Sequence, residues 1–228
     1  SYLSTAAGTL VIISKSASLP GQERSVSGFT GISSSGSYDV KVTMGSKESL
    51  RLEGDEDVIR NIETVVEDGI LKIRNKHRSG WNTHMKSAKV TIYVEAKSLN
   101  NISLSGSGNM TVSGLVKTNK LTNAVSGSGK MLLSIDTEEY DGSISGSGEI
   151  TIKGKANRAK IKISGSGNFK GSNFNTSDSE ITVSGSGNAS INAEKTLDAS
   201  VSGSGNIRYS GNAKVSQKKS GSGNISRI

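Results

Sequence analysis

The segment Ile102–Val112 reads ISLSGSGNMTV, and its central Ser-Gly-Ser-Gly phrase occurs seven times along the chain. The copies begin at Ser105, Ser126, Ser145, Ser164, Ser184, Ser202 and Ser220, at intervals of 21, 19, 19, 20, 18 and 18 residues. A nearly fixed period of this length is typical of proteins built from stacked coils, each of which packs only on its neighbours. The repeat therefore predicts a solenoid.

Apolar and polar residues alternate through this segment. The apolar side of the alternation holds Ile102, Leu104, Gly106, Gly108, Met110 and Val112. A period of two indicates an extended strand with one buried and one wet face. At about 3.3 Å per residue, twenty residues make a perimeter of roughly 65 Å, which suits a slim coil. Since parallel strands are joined by right-handed connections, we predict an all-β, right-handed parallel β-solenoid with coils of about 20 residues.

Both glycines of each copy fall on the apolar side, so we predict that they face the core, where a Cβ would collide with the opposite wall. We expect the corners between copies, for example at Asp136–Asp141. A phosphate-binding loop is the alternative, but it needs a helix after the glycines, and the pattern predicts none. The predicted structural glycines are Gly106, Gly108, Gly127, Gly129, Gly146, Gly148, Gly165, Gly167, Gly185, Gly187, Gly203, Gly205, Gly221 and Gly223.

The outer side of each coil presents two serines and then one further polar residue, which is asparagine in five of the seven copies. Stacked coils align such residues into ladders whose amides hydrogen-bond from rung to rung. Two interpretations stay open: the ladders stabilise a solvated surface, or this hydroxyl-rich face contacts a glycan. The candidate binding residues are Ser105, Ser107, Asn109, Asn168, Asn188, Asn206 and Asn224.

The chain divides into a short leading segment and one long domain. Residues 1–25 are predicted to be an N-terminal segment that follows a removed leader, because the chain begins at Ser1 without methionine. Residues 26–228 are predicted to form a single solenoid domain, irregular and β-rich over 26–100 and regular over 101–228. The irregular part contains one degenerate coil, in which Gly36 matches Gly106 and Tyr38 replaces the second glycine.

The acidic stretch Glu53–Asp57 predicts a turn and one helical turn with its acids at the start. A calcium loop is the alternative, but the stretch lacks the alternating ligands and distal glutamate of such a loop. His77 and His84 have no supporting ligands at zinc spacing. We therefore predict neither a metal nor a cofactor.

Trp81 is the only tryptophan and follows Arg78-Ser79-Gly80 in a predicted loop. An exposed tryptophan beside arginine can stack on a sugar ring or a partner, so Trp81 joins the candidate binding residues. The alternative is that Trp81 closes the end of a core.

Composition excludes several classes of function. The net charge is +8, but the cations are spread along the chain and the sequence holds only one tryptophan, five tyrosines and three phenylalanines. Nucleic-acid binding requires basic groups on one face with stacking aromatics, so we predict no nucleic-acid partner. No disulfide forms without cysteine. The longest apolar run, Thr9–Ile13, is too short to span a bilayer, so we predict no transmembrane segment.

The order and spacing of several motifs resemble one family. These motifs are Val26–Ile32 (VSGFTGI), Tyr38–Val42 (YDVKV), Glu53–Glu56 (EGDE), Asp68–Ile73 (DGILKI) and the Ser-Gly-Ser-Gly-Asn-Ile series. Over residues 26–228 the chain is similar to the head GIN domain of auto-transporter adhesins, common in exported envelope proteins of Bacteroides-type bacteria. The resemblance implies an exported β-solenoid at the cell surface, in the periplasm or outside the cell. It supplies no catalytic residues.

Three functions are compatible with this sequence. The leading hypothesis is a non-catalytic envelope protein that binds a glycan, matrix component or envelope partner through its polar face. The second is a carbohydrate-active β-helix enzyme, which requires a carboxylate pair on one face; Asp136, Glu138, Glu139 and Asp141 share one predicted corner. The third is a structural envelope spacer without a ligand.

Overall fold

The computed structural model describes residues 21–76 and 89–228, in which sixteen strands form one continuous sheet and one helix is present. The first elements are β1 (Gly21–Arg24), β2 (Gly31–Gly36), β3 (Asp39–Met44), β4 (Ser49–Gly54), α1 (Glu56–Arg60), β5 (Ile62–Glu67), β6 (Ile70–Asn75) and β7 (Val90–Ala96). The remaining elements are β8 (Asn101–Gly106), β9 (Asn109–Gly127), β10 (Lys130–Gly146), β11 (Glu149–Gly165), β12 (Asn168–Gly185), β13 (Asn188–Gly203), β14 (Asn206–Ser210), β15 (Lys214–Ser220) and β16 (Asn224–Arg227).

From β8 onward each coil lies parallel to the next, and the register is continuous except at irregularities such as those at Leu132–Ser134 and Thr151–Lys153. Met131 pairs with Met110 on one side and with Ile150 on the other, and Ile150 pairs with Phe169. All four side chains are at most 1% exposed, as the alternation predicted. The stack makes about 7 turns of about 19 residues, so the predicted β-solenoid is confirmed.

The corners lie at the Ser-Gly-Ser-Gly phrase itself. In the third copy β10 ends at Gly146 and β11 begins at Glu149. Gly146 is exposed with φ +104°, whereas Gly148 is buried. The prediction that both glycines face the core is therefore wrong for the first glycine of each copy, which turns the chain. A two-residue corner preserves the parity of the alternation, so the apolar pattern does not reveal it.

The change of apolar phase predicted at Asp136–Asp141 is present, since Thr137 and Tyr140 are both buried and the two residues between them are not, but β10 continues through it. Thr137 pairs with Ala156 and Glu139 with Arg158, and the register omits only the residue between them. The chain bends here without leaving the sheet.

Each corner is in direct contact with the corner of the preceding coil. The N–H of Ser147 donates to the Gly127 carbonyl at 2.9 Å, and the N–H of Glu149 donates to the Gly129 carbonyl at 2.9 Å. A Cβ on Gly146 would lie 2.7 Å from the Gly127 oxygen, and one on Gly148 would lie 2.5 Å from Cγ1 of Val125. No side chain fits at either position, so the repeated glycines follow from the stacking itself.

The core of the regular coils holds an aromatic cluster. Tyr140 lies 5.3 Å from Phe174 and 6.1 Å from Phe169, measured between ring centroids. The Tyr140 hydroxyl donates to Oδ1 of Asn123 at 3.0 Å, and Nδ2 of Asn123 donates to the Ile102 carbonyl at 3.2 Å. Burial raises the pKa of Tyr140, so its hydroxyl stays protonated and keeps this hydrogen bond.

The degenerate coil consists of β2 and β3, which lie on β8 and the start of β9. Gly36 pairs with Gly106, and Val40 pairs with Met110. Beyond it the sheet changes character: β4 runs antiparallel to β7, β1 antiparallel to β4, and β5 antiparallel to β6. The solenoid therefore ends in antiparallel strands at its N-terminal side.

Helix α1 connects β4 and β5. Asp55 is its N-cap and accepts hydrogen bonds from the N–H groups of Asp57 at 2.8 Å and Val58 at 3.3 Å. Glu56 and Asp57 occupy the first turn, where the helix dipole favours negative charge. The predicted helical turn is confirmed, and the carboxylate of Asp55 is occupied by backbone donors.

Arg24 of β1 connects this strand to the end of α1 and to β5 at the N-terminal side of the fold. Its guanidinium donates to the carbonyls of Ile62 at 2.8 Å and Ile59 at 3.0 Å, and to the Thr64 hydroxyl at 3.0 Å. Residues 21–24, which the sequence placed in the leading segment, thus belong to the sheet.

The last coil is polar. Strand β15 pairs only with β13 within the described part of the chain. Lys214, Gln217, Lys218 and Lys219 are exposed along it. A charged edge of this kind opposes pairing with a further strand.

Candidate binding face

The polar residue that follows each corner forms one continuous column. Consecutive members are paired in register through the order Asp39, Asn109, Lys130, Glu149, Asn168, Asn188, Asn206 and Asn224. Neighbouring strands in a sheet are about 4.8 Å apart, so the column presents one polar group at each such interval. We call the three consecutive asparagines Asn168, Asn188 and Asn206 the amide ladder.

The amide ladder is joined by side-chain hydrogen bonds. Nδ2 of Asn188 donates to Oδ1 of Asn168 at 3.0 Å, and Nδ2 of Asn206 donates to Oδ1 of Asn188 at 2.9 Å. An asparagine amide has two N–H donors and an oxygen with two lone pairs. Asn188, the inner rung, therefore keeps one donor and one acceptor for a ligand.

The other two predicted asparagines are outside the hydrogen-bonded ladder for different reasons. Asn224 follows Asn206 in backbone register. Asn109 lies three rungs before Asn168, beyond Lys130 and Glu149, and its Nδ2 donates to Oδ1 of Asp39 at 2.8 Å. The continuous amide surface is thus restricted to the later coils.

The serines of the repeat line the corner beside this column. Ser105 and Ser107 are both exposed, and so are their equivalents in the other six copies. The first serines pair in register from coil to coil, as Ser145 does with Ser164. The corner therefore displays two columns of hydroxyl groups next to the amide ladder.

A second column on the same face was missed from the sequence. Two residues after each rung of the amide ladder lie Lys170, Ser190 and Arg208, which are themselves paired in register. The two columns line a shallow groove of about 330 Å³. The position two residues after each asparagine shares its outward phase, so the repeat itself contained the signal.

Trp81 lies outside the described residues, as do His77 and His84. Across residues 21–76 and 89–228 no three histidine, aspartate or glutamate side chains converge as metal ligands would. Over the same ranges no helix has the length and apolar character needed to cross a membrane.

The carboxylates of the Asp136–Asp141 segment are each engaged by a neighbouring coil. Asp136 pairs with Lys155 at 3.5 Å and Asp141 with Lys120 at 3.2 Å. Glu138 accepts a hydrogen bond from Asn157, and Glu139 accepts one from Arg158.

The hydrogen bond from Arg158 lowers the pKa of Glu139. A glycosidase general acid requires a raised pKa. The carboxylates of Asp136–Asp141 therefore form part of charge ladders with the neighbouring coils, whereas a catalytic pair would face a substrate.

Comparison with known proteins identifies the family. A family model described as "putative auto-transporter adhesin, head GIN domain" matches residues 28–213. The chain belongs to this family. The head GIN match includes the degenerate coil and six of the seven Ser-Gly-Ser-Gly corners, so it rests on the same repeat that builds the polar face.

Solved structures share this head GIN architecture. A putative adhesin from Bacteroides fragilis has a TM-score of 0.83 at 25% identity, covering 93% of this chain and 98% of its own. A putative lipid binding protein from Parabacteroides distasonis has a TM-score of 0.74 at 27% identity, with the same coverage. A putative adhesin from Parabacteroides merdae, with a TM-score of 0.72 at 21% identity over 93% and 97% of the two chains, shares the fold. No protein with curated annotation matches the chain.

Proposed function

We propose that the solenoid domain, β1 included, acts as one non-catalytic, adhesin-like module of the cell envelope that binds a glycan through the polar face. The amide ladder is the observation that carries this proposal, because its members are hydrogen-bonded to one another and border exposed serine hydroxyls. Membership of a family described as adhesins supports the general class of function.

The chemistry of the face suits a sugar polymer. Sugar hydroxyls donate and accept hydrogen bonds, and Asn188, the inner rung of the ladder, offers one of each. The bonds between Asn168, Asn188 and Asn206 hold the amides in place before a ligand arrives. A pre-organised surface loses less side-chain entropy on binding. A regular row of weak contacts also favours a long ligand, since linked contacts reinforce one another.

The proposed location is outside the cytoplasm, at the cell surface, in the periplasm or beyond the cell. An adhesin meets its partner there, and the family description supports this placement. The competing enzyme hypothesis has less support, because the solved relatives are described as adhesins or a lipid binding protein and the Asp136–Asp141 carboxylates are paired. The remaining alternative is a structural spacer without a ligand, and a binding experiment distinguishes it from the proposed adhesin-like module.

The test is an array of glycans and extracellular-matrix components probed with the purified protein at low and at raised salt. We expect saturable retention on a narrow set of glycans that persists at raised salt, because neutral hydrogen bonds are not screened. Asn188→Ala removes the middle rung and should abolish most of the retention. Asn157→Ala is the matched control, since Asn157 is an exposed asparagine on a different part of the coil.

Absence of binding to the array, or retention that disappears at raised salt, would contradict the proposal and favour the structural spacer. Equal losses in Asn188→Ala and Asn157→Ala would also contradict it, because the amide ladder would then have no special part in binding.

A further inference from the structure

The groove beside the amide ladder is positively charged. Its lining consists of Asn168, Phe169, Lys170, Asn188, Ala189, Ser190, Asn206 and Arg208. The lining thus contains two cations and three amides, and no carboxylate belongs to it. We call this surface the cationic groove.

The two cations lie on alternate coils. Lys170 pairs with Ser190, and Ser190 pairs with Arg208, so one rung separates the two charges. Two rung spacings place them about 10 Å apart along the solenoid axis. This distance is close to the length of one disaccharide in an extended glycan chain. Ser190 lies between the two cations in register, and its Oγ accepts a hydrogen bond from the Gly171 N–H at 3.2 Å.

The cations differ in how they are neutralised. Lys170 forms an ion pair with Glu149 at 2.7 Å, with the lysine side chain still 58% exposed. Arg208 is exposed, and none of the ion pairs among the described residues includes it. By contrast, Lys120 and Arg158 contact carboxylates on the neighbouring coils, and so does Lys160. Among the residues that line the cationic groove, Arg208 is therefore the cation that forms no ion pair with a described carboxylate.

We propose that the cationic groove selects a linear acidic glycan that carries one carboxylate per disaccharide. This inference rests on the proposed function and names its ligand class. The amide ladder binds the hydroxyls of the sugar backbone, whereas Arg208 binds one carboxylate through its planar fork. Lys170 binds the next carboxylate along the chain, and the neutral sugar between them contacts Ser190.

The experiment is isothermal titration calorimetry with a hyaluronan oligosaccharide, in which every second sugar carries a carboxylate, and with its carboxyl-reduced counterpart. The two probes share one backbone and differ in charge. At low salt we expect the acidic probe to bind about tenfold more tightly, the effect of one or two exposed charge-assisted contacts. In about 1 M NaCl, where the Debye length is about 3 Å, the two affinities should converge.

The variants separate local charge from net charge. Arg208→Gln and Lys170→Gln should each remove much of the preference for the acidic probe and leave the affinity for the reduced probe unchanged. Lys162→Gln and Lys195→Gln lower the net charge equally at exposed positions outside the groove and should keep the preference. Thermal unfolding of each variant confirms that the fold is intact.

The outcomes are distinct from those of the glycan array. Equal affinity for both probes, absence of binding to both, or an equal loss of preference in the two control variants would overturn the inference. Salt-resistant retention of neutral glycans on the array would still support the proposed function in any of those cases. A silent array combined with a charge preference that Arg208→Gln removes would instead contradict salt-resistant recognition by the amide ladder and leave only the charge-dependent binding at the cationic groove.

Discussion

The corner glycines allow neighbouring coils to lie close together because glycine has no Cβ atom. At Gly148 an added Cβ would lie 2.5 Å from Cγ1 of Val125 and 2.8 Å from the carbonyl oxygen of Gly129. Backbone atoms cannot yield without separating two coils. The neighbouring Ser147 is exposed and has no such restriction.

We expect Gly148→Ala to destabilise the protein by about 1–3 kcal/mol, the usual range for overpacking a tight site. Ser147→Ala, one residue away, should change stability by less than about 0.5 kcal/mol. Urea unfolding followed by circular dichroism measures both. Equal midpoints for the two variants would show that the corner relaxes freely.

The buried side chain of Asn123 holds the hydrogen bonds of the core together, because its amide bonds both the Tyr140 hydroxyl and the Ile102 carbonyl. Asn123→Ala removes the partner of the Tyr140 hydroxyl and opens a cavity, so we expect a loss of about 2–4 kcal/mol. Adding Tyr140→Phe should recover part of this loss, because the orphaned hydroxyl is then absent. Free energies of unfolding for the two single variants and the double variant test this. Additive losses would contradict a direct coupling between the two side chains.

At the scale of elements, paired strands carry their charges in ladders along the solenoid axis. Lys120, Glu139, Arg158 and Asp178 occupy consecutive positions of one ladder with alternating sign. Glu139 contacts both Lys120 and Arg158. Such a ladder favours the observed register over a shifted one, because a shift of one residue would place Glu139 opposite the uncharged Asn157 or Ala159 instead of Arg158.

The lowered pKa of Glu139 makes this ladder sensitive to pH. A carboxylate whose pKa is lowered in the folded state stabilises the fold at pH values above its ordinary pKa of 4.5. This stabilisation is lost as the pH falls through the pKa of the folded state. Wild type should therefore be more stable than Glu139→Gln at neutral pH, and the difference should vanish in acid. Unfolding midpoints between neutral and acidic pH give the measurement. A difference that persists below the folded pKa would exclude the ion pair as its cause.

At the scale of the whole molecule, stability is a sum over neighbouring coils. Strand β11 is paired on both sides, with β10 and β12. Within the described residues β15 is paired only with β13, and most of its side chains are exposed. Each contact removed from one side of a strand lowers the free energy needed to open it.

We therefore expect amide hydrogens of Lys214–Ser220 to exchange at least about tenfold faster than those of Glu149–Gly165 under native conditions. Hydrogen–deuterium exchange with mass spectrometry resolves the two segments. The strands β10 and β12 serve as internal references, since both are paired on two sides. Uniform exchange along the chain would indicate that the solenoid opens as one unit.

The sequence by itself determined the solenoid, its period and the inward phase of residues such as Ile102, Met110 and Ile150. It also determined the column of asparagines and the helical turn after Asp55. These features are local or repeat at a fixed interval. Alternation and capping operate over a few residues, and a period shows which residues stack before any contact is known.

Only the tertiary structure decided where the chain turns and what meets across the coils. A positive φ at the first glycine of each copy leaves the parity of the alternation intact, so the pattern could not place the corner at Gly146. The antiparallel end formed by β1, β4 and β5 depends on pairing between distant segments that share no repeat. The cationic groove likewise arises because Lys170, Ser190 and Arg208, about twenty residues apart in the chain, become neighbours when the coils stack.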